Sequence, residues 1–289
     1  MEFLQLKYFQ TVARLEHISN AAKELNITQP SLSIMISRLE SEMGTPLFVR
    51  KGRNIKLNEM GVVLLKHVNT IFSELEDAKV EIQDVMGSSI KNISLATTST
   101  RLLSGILKDF LEAYPETTIH QYLNSRSVIE SNMIKGETDF CISIPAIEND
   151  EIDFTVLRED EIVLVVPLNH RLANKESIVL SEVSDEFFIS LATSYSYRKI
   201  TDDLCQAAGF IPKVIFEVDD ALMYEMLQLG RGVTLVPLST CNTYSNEPYK
   251  ILKITEPDTS IMVALCWKKN KYISHAAEDF KKFVIEHYR

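Results

Sequence analysis

Gln29, Ser31, Ser33, Ile34, Ser37 and Arg38 fall on one face of a short predicted helix, and no acidic residue interrupts that face before Glu40. A carboxamide, hydroxyls and a guanidinium without carboxylates can approach phosphate oxygens and base edges without charge repulsion, so this face could read a nucleic-acid groove. For one helix alone, a plainly solvated polar surface is the alternative. A basic run follows directly. Thr45 to Leu57 (TPLFVRKGRNIKL) carries Arg50, Lys51, Arg53 and Lys56 and no acidic group, and Arg suits a narrow, strongly negative minor groove. Two hydroxyl-rich runs offer a different chemistry. Thr97-Thr98-Ser99-Thr100 and Thr193-Ser194-Tyr195-Ser196-Tyr197-Arg198 each come after an expected strand and lead into an expected helix. Hydroxyls beside free helix N–H groups can hold an anion such as a carboxylate, and Arg198 would add charge. Capping of the helices is the alternative role. The candidate ligand-holding side chains are Thr98, Ser99, Thr100, Ser125, Ser194, Ser196, Arg198 and Asp220, although Asp219-Asp220 also suits a helix cap.

The elements that must position the first face are legible. Ala21, Ala22 and Leu25 repeat at helical spacing, with Ser19 placed as N-cap, and Asn26-Ile27-Thr28 breaks the pattern. Thr28 is a second N-cap, followed by Gln29 and Pro30, and Pro is tolerated in a first helical turn. Leu32, Ile36, Leu39 and Met43 then form one apolar stripe that ends at Gly44. Two short helices joined by a tight turn make a helix-turn-helix, whose second helix can lie in a DNA major groove. Phe3-Leu4, Leu6 to Phe9 and Val12 predict a supporting first helix. Lys51-Gly52-Arg53-Asn54 reads as the turn of a hairpin, which after a helix-turn-helix is a wing.

At this point the chain resembles a known family. Ala21-Ala22, Leu25, Thr28-Gln29-Pro30-Ser31, Ser33, Leu39-Glu40, Met43-Gly44 and Leu47-Phe48-Val49-Arg50 match, in order and without a gap, the N-terminal pattern of LysR-type transcriptional regulators. Ile34 departs from it, standing where members often carry a polar or basic residue. The resemblance implies double-stranded promoter DNA as partner, contacted by Thr28, Gln29, Pro30, Ser31, Ser33, Ile34 and Arg38 from the helix and by Arg50 and Arg53 from the wing. It also implies a dimer or a dimer of dimers, a small-molecule effector, and contact with RNA polymerase should the protein activate.

Between Asn58 and Met86 the sequence predicts one long helix. Leu64, Val68, Ile71, Leu75, Ala78 and Ile82 are spaced four and three residues apart in alternation, the period of a two-helix seam. Packing within one chain is the alternative to dimerisation. In the resembled family this segment is the linker helix that pairs subunits.

Gly87-Ser88-Ser89 marks a boundary, after which strand and helix patterns alternate and predict parallel β-α-β units. Ile93–Ala96, Thr118–Leu123 and Asp139–Ile144 read as strands, separated by helices over Leu102–Tyr114 and Val128–Lys135. A second unit starts with the apolar strand Glu161–Val166. The expected division is a DNA-binding domain over 1–58, a linker helix over 59–87, and an effector domain over 88–289. By resemblance that domain is two-lobed and similar to periplasmic solute-binding proteins, with lobe 1 at about 90–160 and 265–289 and lobe 2 at about 161–264. The same resemblance places an effector at the Thr97 and Thr193 loops.

Composition agrees once it is divided. The 289 residues carry a net charge of −10, which taken whole argues against a nucleic-acid binder. Residues 1–58, however, hold eight Lys/Arg against five Asp/Glu, and the remainder 22 against 35. Positive charge is concentrated where DNA would sit. No basic-then-apolar leader and no long apolar span is present, so a cytoplasmic protein without a membrane segment is expected. Cys141, Cys205, Cys241 and Cys266 are scattered, which predicts no metal site or cofactor and leaves buried thiols or a redox pair. There is no nucleophile motif, phosphate loop or dinucleotide fingerprint, and His170, His275 and His287 have no catalytic neighbours in sequence, so no enzyme is expected. The competing expectation is a cytoplasmic solute sensor that uses its N-terminal domain for protein contacts.

Overall fold

A computed structural model of the chain describes residues 1–51, 54–87, 91–103, 105–193, 195–219, 222–241 and 249–288. They form two compact units, Met1–Ile82 and Gln83–Arg289.

The first unit packs helices α1 (Phe3–Leu15), α2 (Ile18–Glu24) and α3 (Gln29–Met43) around Leu6, Phe9, Val12, Ala21, Ala22, Leu32, Ile36 and Leu39. The predicted apolar stripe of α3 is its buried face. Thr28 caps α3 by accepting the Ser31 N–H, and Gly44 ends it at φ 71, a left-handed conformation that costs glycine little. The cap of α2 differs from expectation. His17, not Ser19, precedes the helix, and its Nδ1 accepts the Asn20 N–H at 3.4 Å. An imidazole nitrogen does what a hydroxyl usually does, and Ser19 lies inside the first turn.

Strands β1 (Phe48–Lys51) and β2 (Asn54–Leu57) pair antiparallel as the expected hairpin, with Phe48 opposite Leu57 and Lys51 opposite Asn54. The long helix α4 (Glu59–Val85) follows, ~40 Å at about 1.5 Å per residue. Its apolar seam divides in two. Val68 is fully buried and Leu64 packs beside it in the core of the first unit, so these two do not belong to an open face. Ile71, Leu75, Ala78 and Ile82 are exposed. The exposed part of the seam therefore begins at Ile71, because Leu64 and Val68 are taken up by the core of the first unit.

The second unit is α/β and two-lobed. Its strands are β3 (Asn92–Thr97), β4 (Thr118–Leu123), β5 (Phe140–Ser143), β6 (Ile152–Pro167), β7 (Ser177–Val179), β8 (Phe187–Leu191), β9 (Lys213–Val218), β10 (Thr234–Pro237), β11 (Tyr249–Glu256) and β12 (Ser260–Lys268). Helices α5 (Ile106–Ala113), α6 (Arg126–Ile134), α7 (Ser196–Ala207), α8 (Met223–Gln228), α9 (Leu238–Cys241) and α10 (His275–His287) connect and close them. Strand order along the main sheet is β4-β3-β5-β12-β6-β11-β7, with β10 also on β6, and β8 pairs β9 separately.

The sheet is mixed where parallel units were expected. β3 is parallel to β4 and β5, but β12 runs antiparallel to both β5 and β6, and β10 and β11 run antiparallel to β6. The cause is β6 itself. It runs 16 residues, so one strand crosses from the first lobe into the second and its partners must return against it. The expected strand at 161–166 is its C-terminal half.

Candidate nucleic-acid interface and ligand cleft

In the first unit, Thr28, Gln29, Pro30, Ser31, Ile34, Ser37 and Arg38 are exposed on α3, and Ser33 is half-buried beside them. The polar groups are ordered by one another. Gln29 Nε2 donates to Ser33 Oγ at 2.9 Å, and the Thr28 and Ser31 hydroxyls lie 2.8 Å apart. Ile34 is 55% exposed, an apolar side chain left in water among polar neighbours. It lines a shallow depression with Ser33, Ser37, Arg38, Ser41 and Glu42. Glu42 places one carboxylate at the C-terminal end of this face, and its carboxyl lies below the usual range because it hydrogen-bonds the N-terminal ammonium. The first turn of α3 carries no acidic residue, and the partial positive charge of its free N–H groups lies at that end.

Arg53 lies outside the described residues, as does the side chain of Arg50. The described strands on either side are held by Glu40, Asn58 and Glu16. Glu40 Oε1 accepts the N–H groups of Leu47 and Phe48 at 2.8 and 3.3 Å, which fixes the chain between α3 and β1. Asn58 donates to the Pro46 carbonyl at 2.8 Å and accepts the Gly61 N–H at 2.8 Å, starting α4. Ile55 donates its N–H to the Glu16 carbonyl at 3.0 Å, and the Glu16 carboxylate meets Lys56 at 3.2 Å. Glu40 is legible only as part of the Leu39-Glu40 match, and its partners lie seven and eight residues away.

In the second unit, the loop after β3 is tightly made. Thr98 and Ser99 are buried, whereas Thr100 is exposed. Thr97 Oγ1 bonds the Ile142 and Ser99 carbonyls, Thr98 Oγ1 accepts the Ile144 N–H at 3.3 Å, and Ser99 Oγ accepts the Arg101 N–H at 3.3 Å. The expected helix from Leu102 does not begin there. Thr100–Leu103 is a short 3-10 turn, and Gly105 at φ 82 separates it from α5. The Asn124 N–H reaches the Thr97 carbonyl at 3.4 Å, which brings Ser125, the residue preceding α6, to the same end of the sheet. The second lobe meets this loop through Tyr224 on α8, whose ring lies 4.5 Å from the Arg101 guanidinium.

The loop after β8 differs from the sequence expectation in one respect. The Arg198 guanidinium is 11% exposed and engages Asp202 at 2.9 Å, Glu217 at 3.4 Å and the Leu191 carbonyl at 2.6 Å. Its charge is balanced by two carboxylates of its own lobe, so here it fastens α7 to β8 and β9. Asp219 accepts the Leu222 N–H at 3.0 Å as a cap ahead of α8. Ser194 and Asp220 lie outside the described residues, as does the side chain of Ser196.

All four cysteines are buried free thiols. Cys141 and Cys266 are register partners across β5 and β12. Burial pushes the Cys205 thiol up to about 12 and the Cys241 thiol up to about 11, and raises Cys141 and Cys266 as well. A thiol held above its usual range carries little thiolate, the reactive species. Native protein at pH 8 is therefore expected to react with an aromatic disulfide reagent at less than ~1% of the rate of the chain in guanidinium. Rapid native labelling of any cysteine would contradict this. Among the described residues no group of three or more His, Cys, Asp or Glu is placed to hold a metal ion, and no helix is long and apolar enough to cross a membrane.

Comparison with known proteins accords with both halves. Residues 3–62 match the family described as bacterial regulatory helix-turn-helix protein, lysR family, and residues 92–289 match the LysR substrate binding domain. The chain is 34% identical to the uncharacterized HTH-type transcriptional regulator YybE of Bacillus subtilis (strain 168), covering 100% of this chain and 99% of that one. It is 30% identical to the transcriptional dual regulator GltC of the same organism, covering 99% and 97%. Full-length CbnR, solved with its target DNA, superposes with a TM-score of 0.63 at 20% identity over 100% of both chains. The effector binding domain of QuiR in complex with shikimate gives 0.58 at 25% identity, covering 69% of this chain and 97% of that one.

Proposed function

The chain belongs to the LysR family of bacterial DNA-binding transcriptional regulators, and from that premise we propose how this member works. It is a regulator and not an enzyme. A pair of chains joined through the open half of α4 sets α3 and the wing of each copy on successive half-sites of promoter DNA. Gln29, Ser31, Ser33 and Ile34 face the base edges, Ile34 against a thymine methyl, while Arg38, Arg50 and Arg53 take phosphates or the minor groove. An anionic small molecule binds by the loop after β3, using Thr98, Ser99, Thr100 and Ser125, and shifts the placement of the DNA-binding units through its unequal affinity for two arrangements. QuiR holding shikimate, a carboxylate, supports that ligand class. RNA polymerase is the further partner when the complex activates.

The observation that carries the DNA reading is the exposed, acid-free N-terminal face of α3 next to a basic hairpin. Fluorescence anisotropy on DNA from upstream of its own gene, with and without small carboxylates, tests it. Gln29→Ala is expected to weaken specific binding by about 1–3 kcal/mol, and Arg53→Ala to lower the salt dependence by about one ion. Wild-type affinity and salt slope in both variants would refute the interface. A carboxylate panel that shifts neither affinity nor anisotropy would refute the ligand class alone.

A further inference from the structure

We propose that α10 is a strut between the ligand loop and the linker helix, with Tyr288 gripping the loop at one end and Asp84 gripping the helix N-terminus at the other. The regulatory use of this strut rests on the effector reading above. Asp84 stands on the last turn of α4, where its neighbours Ile82, Val85 and Met86 are all exposed, yet its side chain is 1% exposed. It accepts the His275 N–H at 3.1 Å and the Tyr272 hydroxyl at 3.0 Å, so a carboxylate sits on the first N–H of α10. That placement is favoured by the unsatisfied N–H groups and the dipole of a 13-residue helix.

At the opposite end Tyr288 donates its hydroxyl to the Leu102 carbonyl at 2.8 Å. Leu102 lies in the 3-10 turn that directly continues the Thr98–Thr100 loop. Burial raises the Tyr288 phenol to about 12, so it remains a donor at any working pH, and Arg158 lies 5.3 Å from its ring. Between the ends α10 has little freedom. Ala277, Phe280 and Val284 are buried, and Phe280 and Phe283 pack on Phe110 of α5 at 5.0 and 5.3 Å. A helix seated this firmly transmits a displacement rather than absorbing it. A ligand that moves the 100–103 turn therefore moves the N-terminus of α10, and with it the turn of α4 that carries Asp84. Both grips join residues more than 180 apart in sequence.

Hydrogen exchange of the full-length chain, read by mass spectrometry together with anisotropy on the upstream DNA, tests the strut without any effector. Tyr288→Phe deletes one hydroxyl and keeps the ring. It is expected to speed exchange about tenfold at residues 274–278 and 83–87, the far end of α10, and to change DNA affinity at least threefold. Asp84→Asn is expected to act in reverse, speeding exchange at residues 101–103. If Asp84→Asn loses its native circular dichroism, Tyr288→Phe decides alone. Exchange changes confined to the mutated end, or unchanged DNA affinity, would overturn the proposal and leave the effector reading standing.

Discussion

Gly61→Ala is expected to destabilise the N-terminal unit by ~3 kcal/mol, the upper end of what overpacking costs. A β-carbon at residue 61 would lie 2.1 Å from the Leu47 carbonyl oxygen and 2.7 Å from Leu57 Cδ2. The leucine tip can turn away, but the carbonyl is backbone, and it already accepts the Asn58 N–H at 3.0 Å. Relief must come from α4 rising off the base of the wing, which disturbs both the domain and its grip on DNA. Urea unfolding followed by tyrosine and far-ultraviolet signals, with DNA anisotropy in parallel, measures the two losses. An unchanged first transition would show that the approach of α4 to Leu47 is looser than this.

Ile71→Asp is expected to dissociate the protein into monomers that still fold. Ile71 is 37% exposed within one chain, so a carboxylate there can reach water when the chain is alone. In a paired seam with Leu75 and Ile82, two such carboxylates would be enclosed among apolar side chains without a cation. An uncompensated buried charge costs about 3–5 kcal/mol, which weakens association by two orders of magnitude or more. Sedimentation velocity at micromolar concentration distinguishes the states, and dimers that persist in the variant would refute the seam. Val68→Asp differs in kind, since Val68 is enclosed within its own domain and the substitution should unfold it.

What could be read from sequence depended on how local each cause was. Helix α3 was legible because its cap, its Pro, its four apolar positions and its terminal Gly44 lie within 17 residues, and all point to one helix. The wing was legible from a turn between two short runs. The α4 seam was half legible, because heptad spacing reports that a face is apolar and not what covers it; the core of the first unit claimed Leu64 and Val68. Periodicity also ran straight through Gly105, where a φ of 82 breaks the expected helix into a 3-10 turn and α5. Strand β6 was recognised only over its apolar C-terminal half, since the charged Arg158-Glu159-Asp160 segment gives a lobe-crossing strand the look of a loop. Strand β7 is only three residues long, and β11 has its apolar run broken by the exposed Lys250 and Lys253, so both went unread.

The ligand cleft was the least legible part. Arg198 has the right residue type and the right loop, and its Asp202 partner at four residues' spacing is the ordinary helical ion pair. The third member, Glu217, arrives from a different strand, and no spacing in the sequence announces that the guanidinium is held by two carboxylates. Glu40, Asp84 and Tyr288 work the same way. Each is an unremarkable polar residue until the fold supplies a partner far along the chain.

The tethering of the wing has a consequence for operators. Glu40 fastens the strand entry to α3, and the Ile55–Glu16 bond fastens the return strand to α1, so reading helix and hairpin form a calliper of fixed gauge. Inserting one base pair between a major-groove and a minor-groove contact displaces them by about 3.4 Å along the axis and rotates one about the other. A jointed hairpin would follow that change; this one resists it. Spacing within a half-site should therefore be strict, and any tolerance for altered spacing must arise between half-sites, where separate protein copies meet the same duplex.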